Sequence, residues 1–169
     1  MIRTKIFALA VLSAFAGTAD AAMLVKIKSA MNGHFLTAEG DHNNTNWNNQ
    51  PVRVRPENGT DAQLWWVEWA TNDYDQFYIR SFVSGRLLDI HPASNMATTH
   101  PRTSAGHAAN QLFDFEEWVM WSTQIYTMKH GSRACLDLYY LNSQYGPEVG
   151  TWSCHGGKNQ IWSLVPIAR

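Results

Sequence analysis

Charge is scarce in this 169-residue chain: Asp, Glu, Lys and Arg make up 16% of it, 14 acidic against 13 basic. No basic run offers a grip on a nucleic-acid backbone or a membrane surface, and there is no acidic tail. After residues 6–17, no apolar stretch is long enough to cross a bilayer, and that first run is itself too short. No segment holds a helical period for any useful length. Catalytic signatures are missing too. There is no Gly-x-Ser-x-Gly elbow and no phosphate loop. Glu116 and Glu117 are neighbours, so on a strand they face opposite sides and cannot flank one glycosidic bond. His34, His42, His91, His100, His107, His130 and His155 form no His-x-x-x-His pair. These absences argue against an enzyme, a metal site, a cofactor, a nucleic-acid partner and membrane insertion.

The first residues form a leader pattern. Arg3 and Lys5 precede the apolar run, and Ala19-Asp20-Ala21 supplies the small-x-small cleavage rule. Residues 1–21 are therefore expected to be a secretory signal peptide, with an uncleaved anchor as the alternative. Residues 22–169 are expected to be one secreted, extracellular domain. Export makes the only two cysteines, Cys135 and Cys154, an expected disulfide, with two buried thiols as the alternative. Asn43-Asn44-Thr45 and Asn58-Gly59-Thr60 fit the N-glycan acceptor pattern, which matters only in a eukaryotic host.

A repeat organises the domain. Gln63-Leu64-Trp65, Gln111-Leu112-Phe113 and Gln160-Ile161-Trp162 stand 48 and 49 residues apart. Each opens a period-two apolar segment: Trp65, Val67, Trp69; Phe113, Phe115; Trp162, Leu164. Upstream, Phe35-Leu36-Thr37-Ala38, Leu87-Leu88-Asp89-Ile90 and Cys135-Leu136-Asp137-Leu138 align, with Ile27, Ile79 and Thr127 nine residues before each central leucine. Gly33 and Gly85 fall between the first two strands of their units; the third unit shifts its glycine to Gly131. Three units, about 22–71, 72–122 and 123–169, thus hold about four short strands each. One such unit cannot bury its apolar face alone, but three can by closing a barrel with a hairpin cap. The expected fold is all-β, a β-trefoil; a β-sandwich is the alternative and demands no threefold repeat.

In the third unit a carboxylate (Asp137), an aromatic (Trp152) and two amides (Asn159, Gln160) lie in or beside the cysteine loop. A carboxylate accepts hydroxyl protons, an aromatic covers the C–H face of a sugar, and amides donate and accept. Together they suit a polyhydroxylated ligand. Asp137 has a plainer reading as a turn carboxylate, and Trp152 as a core residue. Gln63, Gln111 and Gln160 read first as buried amides that satisfy backbone groups. Trp65, Phe113 and Trp162 read as core.

At these residues the chain resembles the ricin B-chain type lectins, β-trefoil carbohydrate-binding modules with a Gln-x-Trp signature. The resemblance spans the whole expected mature chain. It implies a shallow sugar pocket on each competent repeat, formed by an aspartate, an aromatic before the second cysteine, and an asparagine ahead of the signature glutamine. It further implies that the glutamine supports the aspartate. In the third repeat these are Asp137, Trp152, Asn159 and Gln160. The family often has a glutamine two residues before the aromatic; Gly150 stands there, and Tyr139, Tyr140, Tyr145 and His155 are the nearby substitutes. The second repeat keeps Asp89, Asn110 and Gln111 but lacks the aromatic, with His100 nearest at a spacing that differs from the third repeat. The first has Thr37 and Ala62 for aspartate and asparagine, and is expected to be degenerate. The implied partners are galactose-type or related glycans on cell surfaces or glycoproteins, with no calcium required. The alternatives are a protein-interaction module such as a protease inhibitor, acting through the loop at residues 41–51 with Trp47, or the cell-binding subunit of a multi-chain toxin.

Overall fold

The computed structural model describes residues 22–40, 49–70, 76–103, 108–116, 122–127, 132–139 and 147–168. The strands are β1 (Ala22–Ser29), β2 (Phe35–Ala38), β3 (Gln50–Arg55), β4 (Trp65–Trp69), β5 (Phe77–Ser81), β6 (Leu87–Ile90), β7 (Ala97–His100), β8 (Asp114–Phe115), β9 (Ile125–Thr127), β10 (Ala134–Tyr139), β11 (Glu148–Ser153) and β12 (Trp162–Pro166). Two single 3-10 turns, Asp61–Gln63 and Lys158–Gln160, each lead into a barrel strand.

The antiparallel ladder β12–β1–β4–β5 runs on through a bridge between Phe77 and Phe113 to β8, then to β9. A bridge between Thr123 and Trp162 returns it to β12. Closure removes the exposed edges that an open sheet would leave. The hairpins β2–β3, β6–β7 and β10–β11 cap the barrel. They join one another by Gln50↔Thr99, Glu148↔Arg53 and Met96↔Gly150. Three four-stranded units in a ring, each giving outer strands to a barrel and a hairpin to a cap, make a β-trefoil. The sandwich alternative fails because the barrel strands form one continuous cycle.

Alternation along the barrel strands builds the core. Val25, Ile27, Trp65, Val67, Ile79, Phe113, Phe115, Ile125, Trp162 and Leu164 share one cluster with the hairpin residues Leu36, Leu88 and Leu136. Trp65, Phe113 and Trp162 are fully buried. Each indole N–H is satisfied in the same way, Trp65 donating to the Leu36 carbonyl and Trp162 to the Leu136 carbonyl, both at 3.0 Å. Phe113 has no such donor, so the second repeat keeps a buried aromatic there without the bond. Gly33 and Gly85, at φ of 73° and 69°, close equivalent turns in which their N–H groups bond to Ser29 and Ser81. Only glycine takes that conformation freely.

On the cap hairpins the alternation stops. β2 and β6 are buried at every position, and β10 from Cys135 to Leu138. Thr37, Asp89 and Asp137 sit between apolar neighbours and are themselves buried. What covers them is the segment around each signature glutamine.

Candidate functional site

The register of the third hairpin sets the site. Asp137 pairs with Gly150 and Cys135 with Trp152. Residues two apart share a face of a strand, so Asp137, Cys135, Gly150 and Trp152 all lie on one side. Asp137 is 4% exposed at the base; the Trp152 indole is 59% exposed at the rim. The Cys135–Cys154 disulfide ties β10 to the end of β11 beside that indole.

A buried carboxylate needs donors, because its desolvation is otherwise costly. The Lys158–Gln160 turn supplies them: Asn159 donates to one Asp137 oxygen and Gln160 to the other, each at 2.8 Å. Gln160 is fixed in turn. Its amide also donates to the Ser153 carbonyl at 3.0 Å, and its oxygen accepts the His155 N–H at 2.8 Å. The His155 ring stands over the acid, with Nε2 3.6 Å from Asp137. Its Nδ1 accepts the Gly157 N–H at 3.1 Å. In the neutral ring the proton is therefore on Nε2, the nitrogen nearer Asp137.

Tyr139 completes the wall. Its ring meets Trp152 edge-on, with centroids 6.3 Å apart, and its hydroxyl donates to the Thr151 carbonyl at 2.6 Å. Burial, then the Asp137 charge, raises the phenol above its ordinary pKa, so it stays a neutral donor. A Cβ on Gly150 would lie 2.6 Å from the Asn95 carbonyl oxygen and 2.8 Å from the Tyr139 ring. The glutamine that the family resemblance favours at this position has no room; Tyr139 and the neighbouring repeat fill it. Asn95 was not legible as a site neighbour. It sits in a left-handed turn conformation, φ 60°, and accepts the Thr151 N–H at 2.9 Å across the repeat boundary.

The second repeat reproduces the base. Asn110 and Gln111 both donate at 2.8 Å to the same oxygen of Asp89, which is 3% exposed. Gln111 also bonds to the Pro101 carbonyl and the Thr103 N–H, as Gln160 does to Ser153 and His155. The structure corrects the reading of His100. Sequence spacing separates it from the Trp152 position, but the ladder does not: Leu87 pairs with His100 as Cys135 pairs with Trp152. The second hairpin is simply shorter. In the first repeat the same ladder position is Arg55, opposite Phe35. Gln63 there donates to Thr37 at 3.2 Å and to the Pro56 carbonyl at 2.9 Å, a neutral version of the clamp.

Of the other residues singled out in the sequence, His42, Asn43, Trp47, His107, His130, Gly131, Tyr140 and Tyr145 lie outside the described residues, as does the leader. Among the described residues, no three His, Cys, Asp or Glu side chains gather into a metal-binding group.

Residues 14–104, just over half the chain, match the family model for the ricin-type β-trefoil lectin domain-like family. The chain belongs to that family. A search of curated proteins returns no match. Among solved structures, it is similar to ThreeFoil, a designed threefold-symmetric protein, at 22% identity and a TM-score of 0.69, covering 85% of this chain and 99% of that one. It is similar to an earthworm R-type lectin C-half in complex with GalNAc, at 19% identity and a TM-score of 0.59, covering 86% and 99%. It also matches a Clostridium thermocellum exo-β-1,3-galactanase at 20% identity and a TM-score of 0.69, covering 86% of this chain but only 30% of the enzyme.

Proposed function

We propose that this chain is a secreted lectin that binds galactose-type or related glycans through its third repeat, and more weakly through its second. The observation that carries the reading is the shared face of the third hairpin. It holds an open indole at the rim and, at the base, a carboxylate braced by two amides. A sugar laid against Trp152 covers its C–H face there, while its hydroxyls reach Asp137, Asn159 and His155. GalNAc in the earthworm lectin half and the substrate named for the galactanase support the galactose class. The galactanase match covers a minor part of that enzyme, and we assign no catalysis.

Such pockets are shallow and wet, and their affinity grows through multivalency. The natural targets are therefore clustered glycans on cell surfaces or glycoproteins, reached after residues 1–21 are removed on export. A glycan array on the secreted protein, repeated with excess galactose and with Trp152→Ala, tests the reading. Galactose-terminated glycans should be retained, competed off by galactose, and lost in the variant. Retention that ignores Trp152→Ala, with the fold intact, would overturn it.

A further inference from the structure

The first repeat lacks the acid and the asparagine, yet it has a hollow of its own. An open cavity of about 480 Å³ is lined by Thr37, Ala38, Glu39, Arg55, Asn58 and Ala62, among others. Thr37 and Ala62 stand where Asp137 and Asn159 stand in the third repeat. The hollow is therefore the threefold counterpart of the Asp137 site, with different chemistry.

Two changes remove the negative charge from its base and put an arginine at its rim. The base carries no charge: Thr37 is buried, donates to the Phe35 carbonyl at 2.8 Å and receives the Gln63 amide. At the rim, Arg55 replaces the indole, because Phe35↔Arg55 is the ladder equivalent of Cys135↔Trp152. Glu39, the equivalent of Tyr139, accepts from both Arg53 and Arg55. Arg53 also lies 3.7 Å from Glu148. Among the described lining residues Glu39 is the one carboxylate, and with Arg53, Arg55 and Glu148 it forms a charge-balanced network at the rim. Alongside, Lys26 bonds to Glu57, whose carboxyl is held below its usual range by that bond and then by the charges of Lys26 and Lys28.

We propose that the first-repeat hollow binds an anionic saccharide, one bearing a carboxylate or a sulfate, with Arg55 as its anchor. A guanidinium matches the two oxygens of such a group, which an indole cannot. Pro56 supplies exposed apolar surface for the ring, and Asn58 and Thr60 line the rim for its hydroxyls. The same ligand is disfavoured in the third repeat, where Asp137 would repel it. The two sites then sort glycans by charge. This inference goes beyond the neutral-glycan reading and uses different residues, so either can fail alone.

The test is an NMR titration of the secreted protein with glucuronic acid, galactose 6-sulfate and galactose in parallel. The acidic sugars should shift amides at Thr37, Ala62 and Arg55, and galactose those at Trp152 and Asn159. Arg55→Gln should weaken acidic-sugar binding at least tenfold and leave the galactose shifts unchanged. Thr37→Asp, which restores an acid at the base, should likewise reject the acidic sugars. Added salt should weaken the acidic sugars more than galactose. Acidic sugars that bind Arg55→Gln as well as the parent, that shift only the third repeat, or that shift neither, would each overturn the proposal. Absence of galactose shifts alone would overturn the third-repeat assignment instead.

Discussion

His100 and Trp152 occupy the same place in their respective hairpins, each two residues beyond the partner of a buried aspartate: Thr98 pairs with Asp89, and Gly150 with Asp137. The second repeat therefore has the base of a site and lacks the platform. His100→Trp should supply it. An aromatic contact adds about 0.5–1.5 kcal/mol, so retention on immobilised galactose should rise roughly two- to tenfold. His100 is on the partly exposed rim, and the melting temperature should stay nearly constant. Unchanged retention would mean that the second base is closed to ligand.

The repeat, and with it the trefoil, was legible because it is written in local pattern: three glutamine tripeptides, alternating barrel strands, and an aspartate between two leucines. So was the grouping of Asp137, Asn159 and Gln160. What stayed hidden came from loop length and from contacts between repeats. His100 looked displaced because spacing along the chain counts the hairpin loop, whereas pairing across the ladder does not. Gly150 looked like a lost donor. It is a glycine because the Asn95 carbonyl of the preceding repeat and the Tyr139 ring occupy the space a side chain would need. Nothing in the sequence marks Arg55, because the first repeat lacks the aspartate that flags the other two.

Gly150→Gln restores the residue that the family resemblance favours and should nonetheless do harm. Its Cβ would meet backbone at 2.6 Å, and backbone gives little. Overpacking of this kind costs about 1–3 kcal/mol, which urea unfolding would register as a lower midpoint with an unchanged slope. Galactose binding should weaken as well, since Tyr139 must move away from Trp152. A variant as stable as the parent would show that the hairpins can part.

Asp137→Ala and Trp152→Ala should both lose glycan, but for reasons that stability separates. Trp152 is 59% exposed, and truncating it should change stability by no more than about 0.5 kcal/mol. Asp137 accepts from Asn159 and Gln160, and Gln160 is fully buried. Removing the acceptor leaves buried donors short of partners, a cost of about 1–3 kcal/mol. Thermal melts should show Asp137→Ala clearly below the parent and Trp152→Ala beside it. Equal melts would mean that the amides find other partners.

The disulfide should matter more for the site than its position near the surface suggests. It closes a loop with a sequence separation of 19, which constrains the unfolded chain by about 3 kcal/mol in the chain-entropy model. It also anchors the start of the segment from His155 to Gln160 that holds the acid. Replacing both cysteines with alanine should lower stability by about that amount. Galactose affinity should fall further than the stability loss alone explains, as titration well below the melting temperature would reveal.

Alkaline titration should probe the junction of the second and third repeats. The Tyr126 hydroxyl donates to Asp114 at 2.6 Å, and the Arg133 guanidinium lies over the ring at 3.9 Å while pairing with Glu116 at 3.0 Å. Burial first, then the bond to Asp114, pushes this phenol up to about 12, with Arg133 opposing. The folded protein thus keeps a proton that the unfolded chain would release near pH 10. The sign follows: this stabilisation is whole below pH 10 and is lost as the pH rises towards 12. Absorbance at 295 nm should show a late-ionising tyrosine that disappears in Tyr126→Phe, and the variant's urea midpoint should fall less than the parent's between pH 9 and pH 11.5. Because Tyr139 is also raised, the variant should retain some late ionisation; a parent whose tyrosines all ionise near pH 10 would show that the Tyr126–Asp114 bond is not made.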